Sequence, residues 1–358
     1  MKCDAILFDY TNGGVQVKHL FLLLLGILLS GCSSIGYYWQ AMNGHAELLN
    51  KERPIAEVIQ DQHTRAVVKE KLQQAQHIRL YASQVLHLPD NDSYSQYVDL
   101  QRPFALWNVI ATPRYSIQAK QWCFLFVGCL SYRGYYDQHK ADAYADSLRL
   151  QGYDVMVSGA RAYSTLGWFA DPLLNTMLYK DDARLAGIIF HELAHQQVYK
   201  KNNSAFNEAF AMAVEIEGVL KWLGSRHDLA AIKRYKNHLQ HQLQFNQLLR
   251  RTRERLKAAY QQPSGDAEKA HAKQALFAEL KREYQALKQQ WKGDTSYDGW
   301  MTQDLNNAHL ALVGTYFDYV PYFRKLLKDN NGDFARFYQL VEAMSPETLY
   351  DKAVLASK

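Results

Sequence analysis

The chain has 358 residues, 48% of them hydrophobic, and a formal net charge of +5. A chain of that size can bury a large core, as one domain or one domain with an elaboration. Its charge is modest and spread out, and no basic block alternates with aromatics, which excludes a nucleic-acid surface.

Residues Met1 to Gln16 carry Asp4 and Asp9 where the front of an export leader would be basic. From Val17 the order becomes regular: Lys18-His19, an apolar run from Leu20 to Leu29, then Ser30-Gly31-Cys32. A basic end, a short apolar core and small residues before a cut describe a secretory signal, and the core is too short to span a bilayer comfortably. The true start is expected near Val17, with residues 1–31 as leader and 32–358 as one domain. Leu29-Ser30-Gly31-Cys32 resembles the lipobox of bacterial lipoproteins, in which the cysteine is lipidated and becomes the first mature residue. That resemblance implies a membrane anchor at Cys32. Ser33, in place of Asp, implies the outer membrane facing the periplasm. An ordinary signal peptide with a coincidental cysteine is the alternative.

A helix is expected from Tyr37 to Leu49, directly after the anchor. Pro54 starts the next element, with helices over Ile55 to Gln60 and Arg65 to Leu86, the second stopped by Leu88-Pro89-Asp90-Asn91-Asp92. Trp107 to Ile110 reads as extended, and Cys123 to Leu130 as one apolar strand. Cys123 and Cys129, six apart in an oxidising compartment, are expected to form a local disulfide; two buried thiols are the alternative. Arg133-Gly134-Tyr135-Tyr136 reads as a loop. Lys140 to Gln151 is an amphipathic helix closed by Gly152, and Tyr153 to Val157 alternates like a strand. Tyr163 to Trp168-Phe169 carries no charge and precedes the chain's most informative stretch. It is read as an edge offering backbone N–H and C=O groups to an extended peptide, or else as a core strand.

That stretch is His191-Glu192-Leu193-Ala194-His195. Residues four apart share a helix face, so His191 and His195 can point at one ion while Glu192 stands beside it. This is the HExxH arrangement of zinc hydrolases, two imidazole ligands and a general base. A third protein ligand is required, and Glu208 is the first candidate. It lies thirteen residues on, far enough for the chain to turn at Lys200 to Asn203 and lay down a second helix. Glu215 is the runner-up, on roughly the same face of that helix. Asp181 or Asp182 can cap the first helix, and Ser204 the second.

Arg226 to Gln262 and Ala267 to Gln290 read as a long helical hairpin broken at Pro263-Ser264-Gly265. Trp300 to Phe317 is expected to be helical, and a short helix follows Pro346. The fold class is therefore α+β and mostly helical: a zincin-like metallopeptidase core with a small sheet and a helical hairpin over 226–290.

The chemistry expected is zinc-dependent hydrolysis. Zn2+ on His191, His195 and Glu208 would activate water, with Glu192 taking its proton and passing it to the leaving amine. A further donor for the oxyanion is sought among Tyr163, Tyr297 and Tyr316, with Tyr316 ranked first.

Several stretches together resemble the predicted aminopeptidase family of proteobacterial lipoproteins, gluzincin-like zinc peptidases. They are Cys32-Ser33-Ser34 with Gly36-Tyr37-Tyr38, Trp107-Asn108-Val109, Trp122-Cys123-Phe124, Gly128-Cys129 and Tyr132 to Tyr135. Tyr163 to Trp168, Phe190 to His195, Phe206 to Ala211 and Asn306-Asn307-Ala308 continue the match. The resemblance implies a peptide substrate, with Asn207-Glu208 as the gluzincin asparagine-glutamate element, although the gap after His195 is shorter than in thermolysin-like members. An aminopeptidase must also bind a free α-ammonium, for which Glu215 and Glu217 are the carboxylates at hand. The alternatives are an envelope endopeptidase, a zinc amidase, or a non-catalytic helical lipoprotein scaffold. Mass analysis of the membrane-extracted protein is expected to show a diacylglycerol-bearing Cys32 as its first residue. A retained Leu20 to Leu29 segment would contradict that start.

Overall fold

A computed structural model describes residues 36–124, 128–162, 170–178, 181–313 and 319–347. The chain divides into two units, Met1–Asn50 and Lys51–Lys358. The described part of the first is one helix, α1 (36–50). The second begins with β1 (Arg53–Pro54), α2 (Ile55–Gln60), α3 (Ala66–Gln84), β2 (Gln96–Val98) and β3 (Leu106–Pro113). Then come β4 (Trp122–Phe124), β5 (Gly128–Leu130), β6 (Arg133–Tyr135), α4 (Gln138–Leu150), β7 (Tyr153–Ala160) and β8 (Leu173–Leu174). The rest is helical: α5 (Asp182–Gln197), α6 (Ser204–Ser225), α7 (Leu229–Gln261), α8 (Asp266–Gln290), α9 (Asp298–Met301), α10 (Asn307–Leu310), α11 (Val320–Asp329) and α12 (Phe334–Glu342). The architecture is mostly helical with small sheets, and no described helix is long and apolar enough to cross a membrane.

Among the described residues the sheets are short. β3 is central in one, antiparallel to both β6 and β7. Ile110 packs on Ala308 and Ala311, while Val109 and Ala111, which point the other way, are fully buried too. Both faces of β3 are thus covered, α4 and α10 each packing against β3 and β7. A second sheet runs β1-β2-β8, with β2 parallel to β8. The stretch expected as one strand is a pair, β4 and β5, whose register sets Cys123 opposite Cys129, and the two sulfurs are bonded. Gly128, at φ +77°, takes the left-handed backbone that lets the chain re-enter β5. The expected loop at Arg133 is the strand β6, because its backbone groups find β3.

α5 packs against α6, with α3 against α5 and α11 against α6. Phe206 and Phe210 of α6 meet Phe323 of α11 and Phe337 of α12 edge-on or stacked, and the Tyr338 hydroxyl donates to the Leu86 carbonyl at 2.9 Å. α7 and α8 carry a separate apolar core with Phe245, Leu248, Phe277 and Tyr284. Arg255 pairs with Glu279 while Arg251 pairs with Glu283, so the two helices run in opposite directions.

The expected helix from Trp300 to Phe317 is interrupted. α9 ends at Met301 and α10 begins afresh at Asn307; residues 314–318 lie outside the described residues. The break is made by a polar network that α-helical hydrogen bonding would not permit. Asn306 caps α10 and donates to the Val155 carbonyl, Asn307 N–H donates to Asp154, and Tyr260 donates to Asn307. Lys273 of α8 binds the same Asp154, which ties α7 and α8 to β7. The segment after Pro346 also falls largely outside the described residues.

His309 is 8% exposed; its Nδ1 accepts from Asn306 N–H, and its Nε2 is 3.2 Å from Gln303 Oε1. An accepting Nδ1 fixes the neutral ring, and burial pushes its pKa from 6.5 down to about 4. Its folded pKa lies below the unfolded one, so the unfolded chain binds the extra proton and stability falls as pH drops from 6.5 towards 4. The loss approaches about 1.4 kcal/mol per pH unit for one such group. Thermal melts across that range are expected to show it, and His309→Gln to flatten the slope.

Candidate metal centre

Local sequence accounts for the two helices that form the site. Asp181 caps α5, accepting from Ala183 N–H at 2.9 Å, and Leu185, Ile189, Phe190 and Leu193 bury one face. α5 stops at Gln197, and Asn202 turns the chain with φ +60°. The cap of α6 is Asn203, one residue before the expected Ser204, accepting from Phe206 N–H. Asn207 then clamps the connection. Its carbonyl accepts from Lys200 N–H and its amide donates to the Lys200 carbonyl, each at 2.8 Å. The two bonds let a short connection bring Glu208 back over α5.

The result places His191, His195 and Glu208 together. One ligand atom from each lies within 4.8 Å of the others, a grouping that could hold a metal ion. His191 Nε2 is 3.4 Å from one Glu208 oxygen, and His195 Nε2 is 3.6 Å from the other. Glu208 is the most open, its side chain 38% exposed against 15% for His191 and 7% for His195, so the site is approached from the Glu208 side.

Glu215, the runner-up ligand, has a different place. Its carboxylate lies 3.0 Å from His191 Nδ1, on the ring's far nitrogen. A carboxylate there fixes the tautomer that presents Nε2 to an ion and raises the basicity of the ligand. The room for it is supplied by Gly187, one turn before His191: a Cβ at that position would sit 3.0 Å from a Glu215 oxygen. Tyr235 of α7 adds its phenol to the same neighbourhood, burial raising its pKa with Glu215 contributing.

Glu217 does not face this centre as a free carboxylate. Arg324 Nε of α11 holds it at 2.6 Å. Both carboxylates considered for a substrate ammonium thus have partners within the fold, Glu215 at His191 and Glu217 at Arg324.

The electrostatics separate the carboxyl groups by role. Burial alone would raise Glu208, but its hydrogen bond with His191 and the two imidazoles hold it below the usual carboxylate range. Burial pushes Glu192 up to about 7, with Glu208, Asp171 and Glu215 adding and His191 opposing. Burial and the neighbouring His191 push His195 down to about 4, so its ring is neutral and able to ligate. Burial would lower His191 as well, yet its bonds to Glu208 and Glu215 carry it well above the ordinary value. A cation entering the site displaces that proton.

The candidate phenols divide. Tyr297 stacks on Phe245 at 4.1 Å in the α7–α8 core and has no place at the metal centre. Tyr316 and Tyr163 lie outside the described residues, as does the expected substrate edge from Tyr163 to Phe169. Tyr132, next to β6, was missed as a site residue. Burial raises its pKa, and Glu208, Tyr199 and Glu192 add to the rise, which puts the phenol in the field of both the ligand and the acid. A tyrosine in a bend before a short strand carries no spacing signal that would have revealed this.

Two imidazoles and a carboxylate on packed helices, with a recessed acid beside them, define a metal-dependent hydrolase in general terms. Residues 36–352 match the family described as putative aminopeptidase, and the chain belongs to that family. No curated protein and no solved structure matches it.

Replacing His191 or His195 with Ala is expected to abolish most metal binding, and Glu208→Ala likewise, as measured by metal content after dialysis. Glu215→Gln should keep the site but weaken it about 10- to 100-fold in a chelator competition. Full affinity in Glu208→Ala together with loss in Glu215→Ala would reverse the assignment.

Proposed function

We propose that the protein is a zinc-dependent aminopeptidase acting on peptides in the bacterial envelope, held to the membrane by lipid on Cys32. The observation that carries the reading is the spacing of the His191, His195 and Glu208 donors. Zinc sits about 2.1 Å from nitrogen and oxygen ligands, so tetrahedral neighbours lie about 3.4 Å apart. One donor atom from each of the three residues lies within 4.8 Å of the others, a group that could close onto one such ion. A set of three protein ligands also leaves one position open, the pattern of catalytic zinc rather than structural zinc.

When bound, the ion would polarise the scissile carbonyl and make water a nucleophile near neutral pH. Glu192 takes the water proton and delivers it to the departing amine. Its placement at about 7 suits both halves of the transfer. Glu208, held below the usual carboxylate range, stays anionic as a ligand. Tyr132, kept protonated by burial and neighbouring carboxylates, is better placed by its surroundings than Tyr297 to donate to the developing oxyanion.

The exopeptidase part rests on the family and on charge. With Glu215 and Glu217 engaged, the acidic groups acting from outside α5 and α6 are Asp171, which adds to the rise of Glu192, and Glu52, itself raised by burial and then by Asp171. An α-ammonium near them would relieve this mutual repulsion and set the first peptide carbonyl over the metal. An endopeptidase would need a cleft open on both sides.

Glu192→Gln is expected to retain zinc and lose about two to four orders of magnitude in kcat, since it removes a base and no ligand. A short peptide should be shortened one residue at a time by the lipid-free protein, and its N-acetylated twin left intact, by mass spectrometry. Equal internal cleavage of both would make it an endopeptidase with the same metal chemistry.

A further inference from the structure

Along the helix that carries Glu192, bonded to Gln196, lies a loop that carries an unusual tyrosine. Tyr94 has φ +64°, a left-handed backbone that an aromatic residue rarely adopts. Its side chain is 2% exposed, and its hydroxyl has no hydrogen-bond partner among the described residues. A strained backbone and an unpaired buried hydroxyl each destabilise a fold, and here both fall on one residue.

The loop is fastened at several points. Arg79 of α3 donates from Nε to the Ser93 carbonyl, and from its guanidinium to the carbonyls of Pro89 and Asn91. Asn91 donates to Gln196 Oε1 at 2.8 Å, and Gln196 in turn donates to the Ser93 hydroxyl. Tyr94 N–H donates to the Asp171 carbonyl at 2.7 Å. Gln196 is four residues after Glu192, one turn along the same face of α5. The fastened loop therefore lies along the Glu192 face of the helix, and Tyr94 is held there by its neighbours on both sides. Glu192 and Asp171 are the acidic groups whose charge reaches the Tyr94 phenol.

We propose that Tyr94 is a positioning residue for Glu192: its buried hydroxyl, unpaired in this structure, is the donor that the Glu192 carboxylate takes up as it turns toward the water. Burial, with Glu208, Asp171 and Glu215 adding and His191 opposing, raises Glu192, and a neutral donor can orient it without competing for the metal. The strain at residue 94 is what aims the hydroxyl: an extended backbone at that position would turn the side chain elsewhere.

The inference rests on Glu192 acting as the base, and a double-mutant cycle separates the two claims. Tyr94→Phe keeps the ring and removes the unpaired hydroxyl. It is expected to lower kcat about 10- to 100-fold, leave KM and zinc content unchanged, and leave the melting temperature of the metal-free protein equal or higher. In a Glu192→Gln background, Tyr94→Phe should cost nothing further, because the group it acts through is gone. Wild-type kcat in Tyr94→Phe, or the same fold-loss in both backgrounds, overturns the positioning role. So does a fall in the metal-free melting temperature that matches the lost activity, since that marks a structural hydroxyl. An active Glu192→Gln instead overturns the base assignment and this inference with it.

Discussion

Everything at the centre depends on His191 having a carboxylate at each ring nitrogen, both supplied by α6. Glu208 faces Nε2 at 3.4 Å and Glu215 faces Nδ1 at 3.0 Å. The two acids are seven residues apart, two helical turns, so one helix presents both along one stripe. This requires α5 and α6 to pack closely enough for a single imidazole to lie between them. Gly187 allows that approach, and Gly218 does the same further along, where a Cβ would come within 2.9 Å of Leu86 and Phe190. The same packing buries Phe206, Phe210 and Val214, so the apolar energy of the core maintains the polar geometry.

Several charges in so small a space would be costly if all were of one sign. Alternation resolves this. The ring of His191 separates Glu208 from Glu215, and the neutral ring of His195 lies on the other side of Glu208. Glu192 is left without a cation as its own partner, and its carboxyl rises to the pKa that proton transfer near neutral pH favours. Burial, with the surrounding acids adding to it, thus raises the carboxyl of Glu192.

The sequence carried the grouping of His191, His195 and Glu208 because helix periodicity is a strong signal: His191 and His195 are four apart, and Glu208 follows a readable turn. Disulfide pairing was legible from short spacing together with an expected oxidising compartment, β7 from alternation, and α4 from its amphipathic pattern with Gly152 as a stop. What could not be read came from contacts remote in sequence. Glu217 looked available until Arg324 was brought to it from α11. Tyr297 looked like a site phenol, but stacking on Phe245 and Trp291 places it in another core. The break before Asn307 depends on Asp154, which no local pattern near residue 300 reveals. Tyr94 and Tyr132 lie in a turn and a bend, where side-chain direction follows from tertiary packing and not from a repeat.

The Asn207 clamp has a kinetic consequence. By closing the connection onto Lys200, it confines the whole ligand set to one continuous stretch, from His191 to Glu208. A loop this short closes at little entropic cost, and contacts of low sequence separation form early. The metal-binding pair of helices can therefore assemble before the Arg79-fastened loop or the remote helix α7 arrives.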